Sequence, residues 1–390
     1  MTGDRLQPQR LLHRRVVVKV GSNVLTGGEE GLHTPTIAAI ATQVADLVHR
    51  GAQVALVTSG AVAAGRHRLR EIAALRDVDA SKVAGRDVQS RQVAAAVGQS
   101  RLMALWDALF AEAGVAVGQA LLTRADLADR LGYLNARNTL LAMLDLGVVP
   151  VINENDVVSV EELQDARIGD NDNLSAQVAN LVDADLLLLL TDIAGLYTAD
   201  PRRDPNARLI ESVERIDDAI EAAAAGGAGA RGTGGMTTKV QAARIATGSG
   251  THVVIADGRA RDIVLRAAAG EPVGTHFLPA GDRTESRRRY LLSGLQARGR
   301  IVVDAGAAGA LLRGGNSLLP AGVLRCEGTF QRGDVVQVVT AEGRHLASGT
   351  ANYASDEVAR IAGKQSAQIA DLLGYEFGEE VIHRNNLVLV

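Results

Sequence analysis

Short apolar runs without polar alternation recur along the first two-thirds of the chain, with amphipathic stretches between them. Strands buried on both faces read this way, because helices cover both sides of a parallel sheet. Val16 to Val20 is the first such run, followed by the turn Gly21-Ser22-Asn23. Thr36 to Arg50 then carries the helical period. Gln53 to Thr58 predicts a second strand, which Ser59-Gly60 breaks before Ala61 opens another helix. Val115 to Leu122 and Val148 to Ile152 predict two more strands, with a helix over Leu134 to Leu146 between them. Asn173 to Leu181 predicts a helix and Ala184 to Leu190 a strand. A helix over Thr237 to Thr247 leads to a strand over Val253 to Ala256. This alternation predicts a doubly wound α/β domain, a parallel-sheet αβα sandwich, over residues 10–275.

The pattern changes near residue 280. Gly281-Asp282-Arg283 and the cationic cluster Arg287-Arg288-Arg289 predict a linker over 276–297. Beyond it, Arg300 to Val303, Val323 to Glu327, Asp334 to Thr340 and His345 to Ala351 read as short strands. Turns such as Arg332-Gly333-Asp334 and Glu342-Gly343-Arg344 separate them. A small β-rich, barrel-like domain over 298–376 is expected. Within the larger domain, the Gly/Ala-rich stretch Ala222 to Gly235 predicts a mobile loop.

Composition narrows the function classes. The 390 residues are 47% hydrophobic, enough for two cores, but only 3% are aromatic. The cores must be built from Val, Leu, Ile and Ala, and surfaces for stacking bases are scarce. A formal net charge of -4 argues against a nucleic-acid footprint over the whole molecule, leaving local patches open. Cys326 is the single cysteine, so no intrachain disulfide forms, and a lone thiol suits a reducing compartment. The runs Val16 to Val20 and Leu186 to Leu190 are too short for a signal peptide core or a membrane span. A cytoplasmic enzyme without a membrane partner is expected.

Chemistry gathers where the predicted strands end. Lys19 lies at the carboxyl end of the first strand beside Gly21, where open α/β sheets bind ligands. There an ammonium can meet phosphate oxygens, with turn amides as further donors; a solvated lysine at a strand end is the alternative. Thr58-Ser59-Gly60-Ala61 offers helix-start amides to an anion or a substrate carboxylate, or is a tight connection with Ser59 as N-cap. Val151-Ile152-Asn153-Glu154-Asn155-Asp156 ends a strand in a polar cluster. Gly169-Asp170-Asn171-Asp172-Asn173 forms another, read as the segment directly before a helix. Such oxygens suit Mg²⁺ or the cationic groups of a substrate. The Asp-x-Asp spacing matches part of a calcium loop, but the glycine and distal glutamate of an EF-hand are absent.

Two further segments point to a nucleotide. Leu190-Thr191-Asp192 gives an apolar strand a polar end. Gly232-Thr233-Gly234-Gly235-Met236-Thr237-Thr238-Lys239 combines glycines, whose amides can wrap phosphates, with a lysine expected in the first turn of a helix. The segment is not a Walker A loop. A flexible linker is the alternative, and a lone cation at the positive end of a helix disfavours it. Two lysines distant in sequence, a Gly-rich loop and acidic clusters form the minimum set for phosphoryl transfer.

Taken together, these segments resemble the amino acid kinase family, and within it the glutamate kinases. The match is carried by Val17-Val18-Lys19-Val20-Gly21-Ser22, Val57-Thr58-Ser59-Gly60-Ala61, the Val151 to Asp156 block, Gly169 to Ser175 and Gly232 to Met236. The Ile152 to Asp156 and Gly169 to Asn173 blocks are the most specific. The resemblance implies ATP-dependent phosphorylation of the γ-carboxylate of L-glutamate, the first step of proline synthesis. It implies that Lys19 and Lys239 stabilise the phosphoryl group in flight, that Asp170 organises the site, and that Asp172 assists through Mg²⁺ or by orienting the lysines. Ser59, Asp156 and Asn171 would hold glutamate, with Asn153 close by. Lys19, Thr191, Asp192 and the loop Thr233, Gly234, Gly235, Met236, Thr237, Thr238 and Lys239 would hold ATP. The C-terminal part is similar to a PUA domain, a fold associated elsewhere with RNA-modifying proteins. Mg²⁺ dependence, with no residue assigned as its ligand, follows from the resemblance. So do a homo-oligomer, feedback inhibition by proline and association with glutamate-5-phosphate reductase. The Arg- and Asp-rich segment Arg66 to Arg91 departs from the family by its length, and is expected to alter subunit contacts or effector response. Rival readings are an RNA-binding protein, resting on the C-terminal part and Arg287-Arg288-Arg289, and a related kinase acting on acetylglutamate, aspartate, carbamate or a nucleotide.

Overall fold

A computed structural model describes residues 11–28, 30–76, 85, 87–158, 170–226, 235–280 and 297–390. Contacts divide the chain into two compact units, one drawn from Met1–Ala128 and Asn135–Gly281, the other from Asp129–Leu134 and Asp282–Val390.

The predicted alternation is realised as β1 (Arg15–Val20), α1 (Ser22–Thr26), α2 (Thr34–His49), β2 (Gln53–Val57), α3 (Ala61–Arg76), α4 (Val88–Glu112), β3 (Val117–Leu122), α5 (Arg124–Ala128), α6 (Arg130–Asp145) and β4 (Val149–Glu154). It continues as α7 (Asp170–Leu181), β5 (Leu186–Thr191), β6 (Ser212–Val213), α8 (Asp218–Ala224), α9 (Gly235–Gly248), β7 (His252–Asp257), α10 (Ile263–Ala268) and β8 (Thr275–Phe277). The strands form one sheet in the order β3-β4-β2-β1-β5-β7-β8-β6. Pairing is parallel except between β7 and β8, which run antiparallel. Every residue of Leu186–Thr191 is buried, which explains why this strand shows no polar alternation.

The order of strands fixes where a ligand can sit. From β1 the chain moves to one side through β2 and β4, and later returns to the other side through β5 and β7. The connections therefore diverge between β1 and β5, leaving a crevice beyond the carboxyl ends of these two central strands. Lys19 pairs in register with Leu189 near that end of β1, and Thr191 closes β5.

Two expectations change, and a third segment is described only at its ends. The Asp170 to Asn173 run is not a loop before a helix but its first turn, because helix-start amides and the positive end of the macrodipole favour Asp and Asn there. Within the segment from Arg66 to Arg91, Arg66 lies inside α3 and Arg91 inside the 25-residue α4, whose weak amphipathicity hid it in the sequence, while 77–84 and 86 lie outside the described residues. Ala222 to Ala224 complete α8, while 227–234 of the expected mobile loop lie outside the described residues, as do Arg287-Arg288-Arg289.

The second unit carries a five-stranded mixed sheet. Its strands are β9 (Gly299–Val303), β10 (Val323–Gly328), β11 (Val335–Thr340), β12 (His345–Thr350) and β13 (Leu387–Leu389), in the order β10-β9-β11-β12-β13. Ile301, Phe330, Val338, Tyr353 and Ile382 are among the side chains of its own core.

Candidate active site

A cleft of about 1560 Å³ opens at the carboxyl ends of the central strands. Lys19, Ser59, Asn153, Asp156, Asn171, Asp172, Thr191, Asp192, Gly235, Met236, Thr237, Thr238 and Lys239 all line it. Residues expected at the site from six separate stretches of sequence thus meet in one place. Thr233 and Gly234 lie outside the described residues, as does the side chain of Asp170.

Asp172 is the centre of the charged half. Its Oδ1 accepts from Lys19 Nζ at 2.5 Å, and its Oδ2 accepts from Lys239 Nζ at 3.2 Å and from Thr238 Oγ1 at 2.7 Å. All three charged residues are buried, with 4%, 1% and 7% exposure for Lys19, Asp172 and Lys239. Because α9 begins at Gly235, Lys239 lies in its second turn rather than the first, and its Nζ reaches back to donate to the Gly235 carbonyl at 3.0 Å.

Burial pushes the Lys19 ammonium below its ordinary value; Asp172 pulls the other way, and the like charge of Lys239 adds to the fall. Burial alone would raise the Asp172 carboxyl. The charges of Lys19 and Lys239, helped by hydrogen bonds from Lys19 and Thr238, outweigh it and hold the group below the usual carboxylate range. Two cations share one carboxylate, so the triad carries an excess positive charge. An anion about 4 Å away at an effective dielectric near 20 would gain about 4 kcal/mol per unit charge pair. The arrangement suits a phosphoryl group passing between the two lysines.

Beside the triad, the wall of the cleft carries a network of amides and a hydroxyl, together with the charged residues Asp156 and Asp192. Asn171 Nδ2 donates to Ser59 Oγ and to Asn153 Oδ1, each at 3.1 Å. At the end of β5, Asn23 donates to Asp192 Oδ2 at 3.1 Å, and Arg259 donates to the Asp192 carbonyl at 2.6 Å.

Residues 14–257 match the model of the amino acid kinase family. The chain belongs to the amino acid kinase family. Residues 299–373 match the PUA domain. A curated relative from Dehalococcoides mccartyi, named a glutamate 5-kinase, is 50% identical over 378 residues, covering 97% of this chain and 99% of that protein. Glutamate 5-kinases from Herpetosiphon aurantiacus and Shewanella amazonensis are each 49% identical, over 97% of this chain and 99% and 96% of theirs. In this member of the amino acid kinase family, sequence reasoning missed several residues of the cleft. Arg66, Arg91 and Glu154 line it, and Gln99 accepts from Asn153 Nδ2 at 2.8 Å. Arg66 was findable, six residues after Gly60 in the helix that the Ser59-Gly60 turn opens. Gln99 was not, since it meets Asn153 across 54 residues of sequence.

Proposed function

We propose that the chain transfers the γ-phosphoryl group of ATP to the γ-carboxylate of L-glutamate, yielding γ-glutamyl phosphate and ADP, the first step of proline biosynthesis. The observation that carries this reading is Asp172 joining Lys19 and Lys239 in a cleft that Ser59, Asn153 and Asn171 also line.

A γ-carboxylate oxygen attacks the γ-phosphorus, and the bond from that phosphorus to the β–γ bridging oxygen breaks to release ADP. A carboxylate with an ordinary value of about 4.3 is already deprotonated at neutral pH, so the nucleophile needs no general base. What the step needs is positive charge at the oxygens of the transferred group and at the leaving oxygen. Lys19 and Lys239 supply it. Asp172, engaged by both lysines and Thr238, acts by holding them at a fixed separation; the side chain of Asp170 lies outside the described residues. Ser59, Asn153, Asp156 and Asn171 face the amino acid, and Arg66 supplies a cation for its α-carboxylate. Thr191, Asp192 and the Thr233 to Lys239 segment face ATP.

Among the described residues, no group of three or more His, Cys, Asp and Glu side chains is placed to hold a metal ion, and Asp172 is already taken. Mg²⁺ belongs in this reading with ATP, as part of the nucleotide substrate. A homo-oligomer, inhibition by proline, a cytoplasmic setting and association with glutamate-5-phosphate reductase complete the reading, on the strength of the family resemblance. Among the described residues no helix is long and apolar enough to cross a membrane.

The deciding experiment is a panel of L-glutamate, N-acetylglutamate, aspartate and carbamate with ATP and Mg²⁺, trapping acyl phosphate with hydroxylamine. Hydroxamate from L-glutamate is expected. Product from another acid and none from glutamate overturns the substrate assignment.

A further inference from the structure

The two lysines of the triad are not held alike. Lys19 Nζ meets Asp172 Oδ1 at 2.5 Å, whereas Lys239 Nζ meets Oδ2 at 3.2 Å. The second distance lies beyond the range of about 2.7–2.9 Å usual for an ammonium on a carboxylate. Oδ2 has a nearer donor. Thr238 Oγ1 stands 2.7 Å from it and 3.1 Å from the Gly235 carbonyl oxygen. A hydroxyl has one proton to give. The carboxylate takes it, being both nearer and ionised, because a charge-assisted hydrogen bond is the stronger of the two. Thr238 and Asp172 are both buried, where such a bond gains over its strength in water.

The first turns of α9 build this arrangement. Gly235 opens the helix, so its carbonyl lies beside the side chains three and four residues on, those of Thr238 and Lys239. Branching at Cβ leaves the Thr238 hydroxyl few positions in a helix, and the one it holds faces Asp172. Lys239 Nζ donates to the Gly235 carbonyl at 3.0 Å and still lines the cleft. Its bonds are thus one to a neutral oxygen and one long contact to the carboxylate. An ammonium drawn tightly onto a carboxylate has less of its charge to offer an incoming anion. With Thr238 on Oδ2, Lys239 is not the only donor to that oxygen; without it, Lys239 would be.

We propose that Thr238 is a positioning residue that acts through Lys239, and that its hydroxyl is not a contact for ATP. By donating to Asp172 Oδ2 it holds Lys239 off the carboxylate and leaves that ammonium to the transferred phosphoryl group, while Lys19 stays fixed on Oδ1. The proposal rests on the reading of the cleft as a site of phosphoryl transfer.

The test compares wild type, Thr238→Val, Thr238→Ser, Lys239→Ala and the double variant Thr238→Val with Lys239→Ala in the hydroxylamine assay, varying ATP and L-glutamate in turn. Valine keeps the branched shape and removes the proton. Thr238→Val is expected to lower kcat about tenfold, the scale of a lost hydrogen bond to a charged group. KM for ATP and for L-glutamate should stay within about twofold, as for an interaction realised in the transition state. Thr238→Ser keeps the donor and should restore kcat to within about threefold of wild type. Because Thr238 acts through Lys239, adding Thr238→Val to Lys239→Ala should slow that variant by no more than about twofold. A raised KM for ATP with unchanged kcat in Thr238→Val makes the hydroxyl a nucleotide contact and overturns the proposal. So does a Thr238→Ser variant as slow as Thr238→Val, or a double variant about tenfold slower than Lys239→Ala. Should Thr238→Val fail to fold, Thr238→Ala takes its place with the same expectations. A wild-type protein that makes no acyl phosphate overturns the functional reading, and this proposal with it.

Discussion

The two ends of the cleft solve different problems with different groups. At one end three charged residues are buried together, and their hydrogen bonds span 2.5 to 3.2 Å. At the other, amides and a hydroxyl are joined in a directional chain. Phosphoryl transfer builds negative charge along the line of attack, and fixed positive charge stabilises it most where water is excluded. An amino acid has no net charge at its α-carbon end, and a buried charge facing it would be as costly for one of its groups as it is helpful for the other. Neutral groups of fixed direction distinguish ammonium from carboxylate without that penalty. Chemistry is thus assigned to charge, and recognition largely to direction.

The sharpest way to break this contrast is Asp172→Ala. Without the carboxylate, Lys19 and Lys239 repel each other in a buried site. We expect kcat to fall by about 10³-fold, near the upper range for losing a preorganised electrostatic group. Stability should drop by about 3–5 kcal/mol, as when one member of a buried ion pair is removed. Steady-state kinetics and thermal unfolding read both; kcat within tenfold of wild type would contradict the central role given to Asp172. Lys239→Ala removes one cation and leaves Lys19 paired with Asp172. Its kcat should fall about 10²-fold with the fold intact and with KM for L-glutamate within threefold. Near-normal turnover refutes its assignment.

The charged end was the more legible of the two in the sequence. Lysines beside glycine turns, and carboxylates at strand ends, carry local signals, because strand periodicity places them at the carboxyl edge of a sheet. Their mutual contacts did not show. Asp172 bonds Lys19 across 153 residues, and no local pattern states which of Asp170 and Asp172 will point at the lysines. The buried strands were legible because Leu186 to Leu190 admits no polar residue. Helix α4 was not, because Val88–Glu112 distributes its apolar residues around the helix. With that helix went Gln99. The small edge strands Ser212–Val213 and Thr275–Phe277 are too short to show a period.

Acidity gives a second handle on the charged end. Lys19 must be protonated to stabilise the phosphoryl group, and burial holds its value below that of an ordinary lysine. Activity is therefore present below the depressed Lys19 value and lost as pH rises through it. The alkaline limb of kcat/KM should lie below the ordinary lysine value of about 10.4. Lys239 lowers Lys19 further, so in the residual activity of Lys239→Ala the limb should move upward without reaching 10.4, because burial remains. A wild-type limb at or above 10.4, measured under saturating ATP, would contradict the assignment.

The smallest effect tests whether the neutral end is wholly neutral. Arg66 lines the cleft from α3. Its neighbours on that helix are committed: Arg68 to Glu71 and Arg70 to Glu30. Arg66 makes no ion pair among the described residues, and its side chain is only half-buried. A fully solvated charge in that position would contribute less than about 1 kcal/mol to binding. A charge-assisted hydrogen bond to the α-carboxylate would contribute about 1.5–3 kcal/mol. The exposure of Arg66 favours the lower end, so Arg66→Met should raise KM for L-glutamate about tenfold and leave KM for ATP within twofold. Because Met keeps the apolar stem against α3, thermal stability should not change. Arg66→Lys should recover part of the loss, since a point charge reaches the carboxylate without the planar fork. Equal KM values in wild type and Arg66→Met would remove Arg66 from amino-acid recognition and leave it to Ser59, Asn153, Asp156 and Asn171.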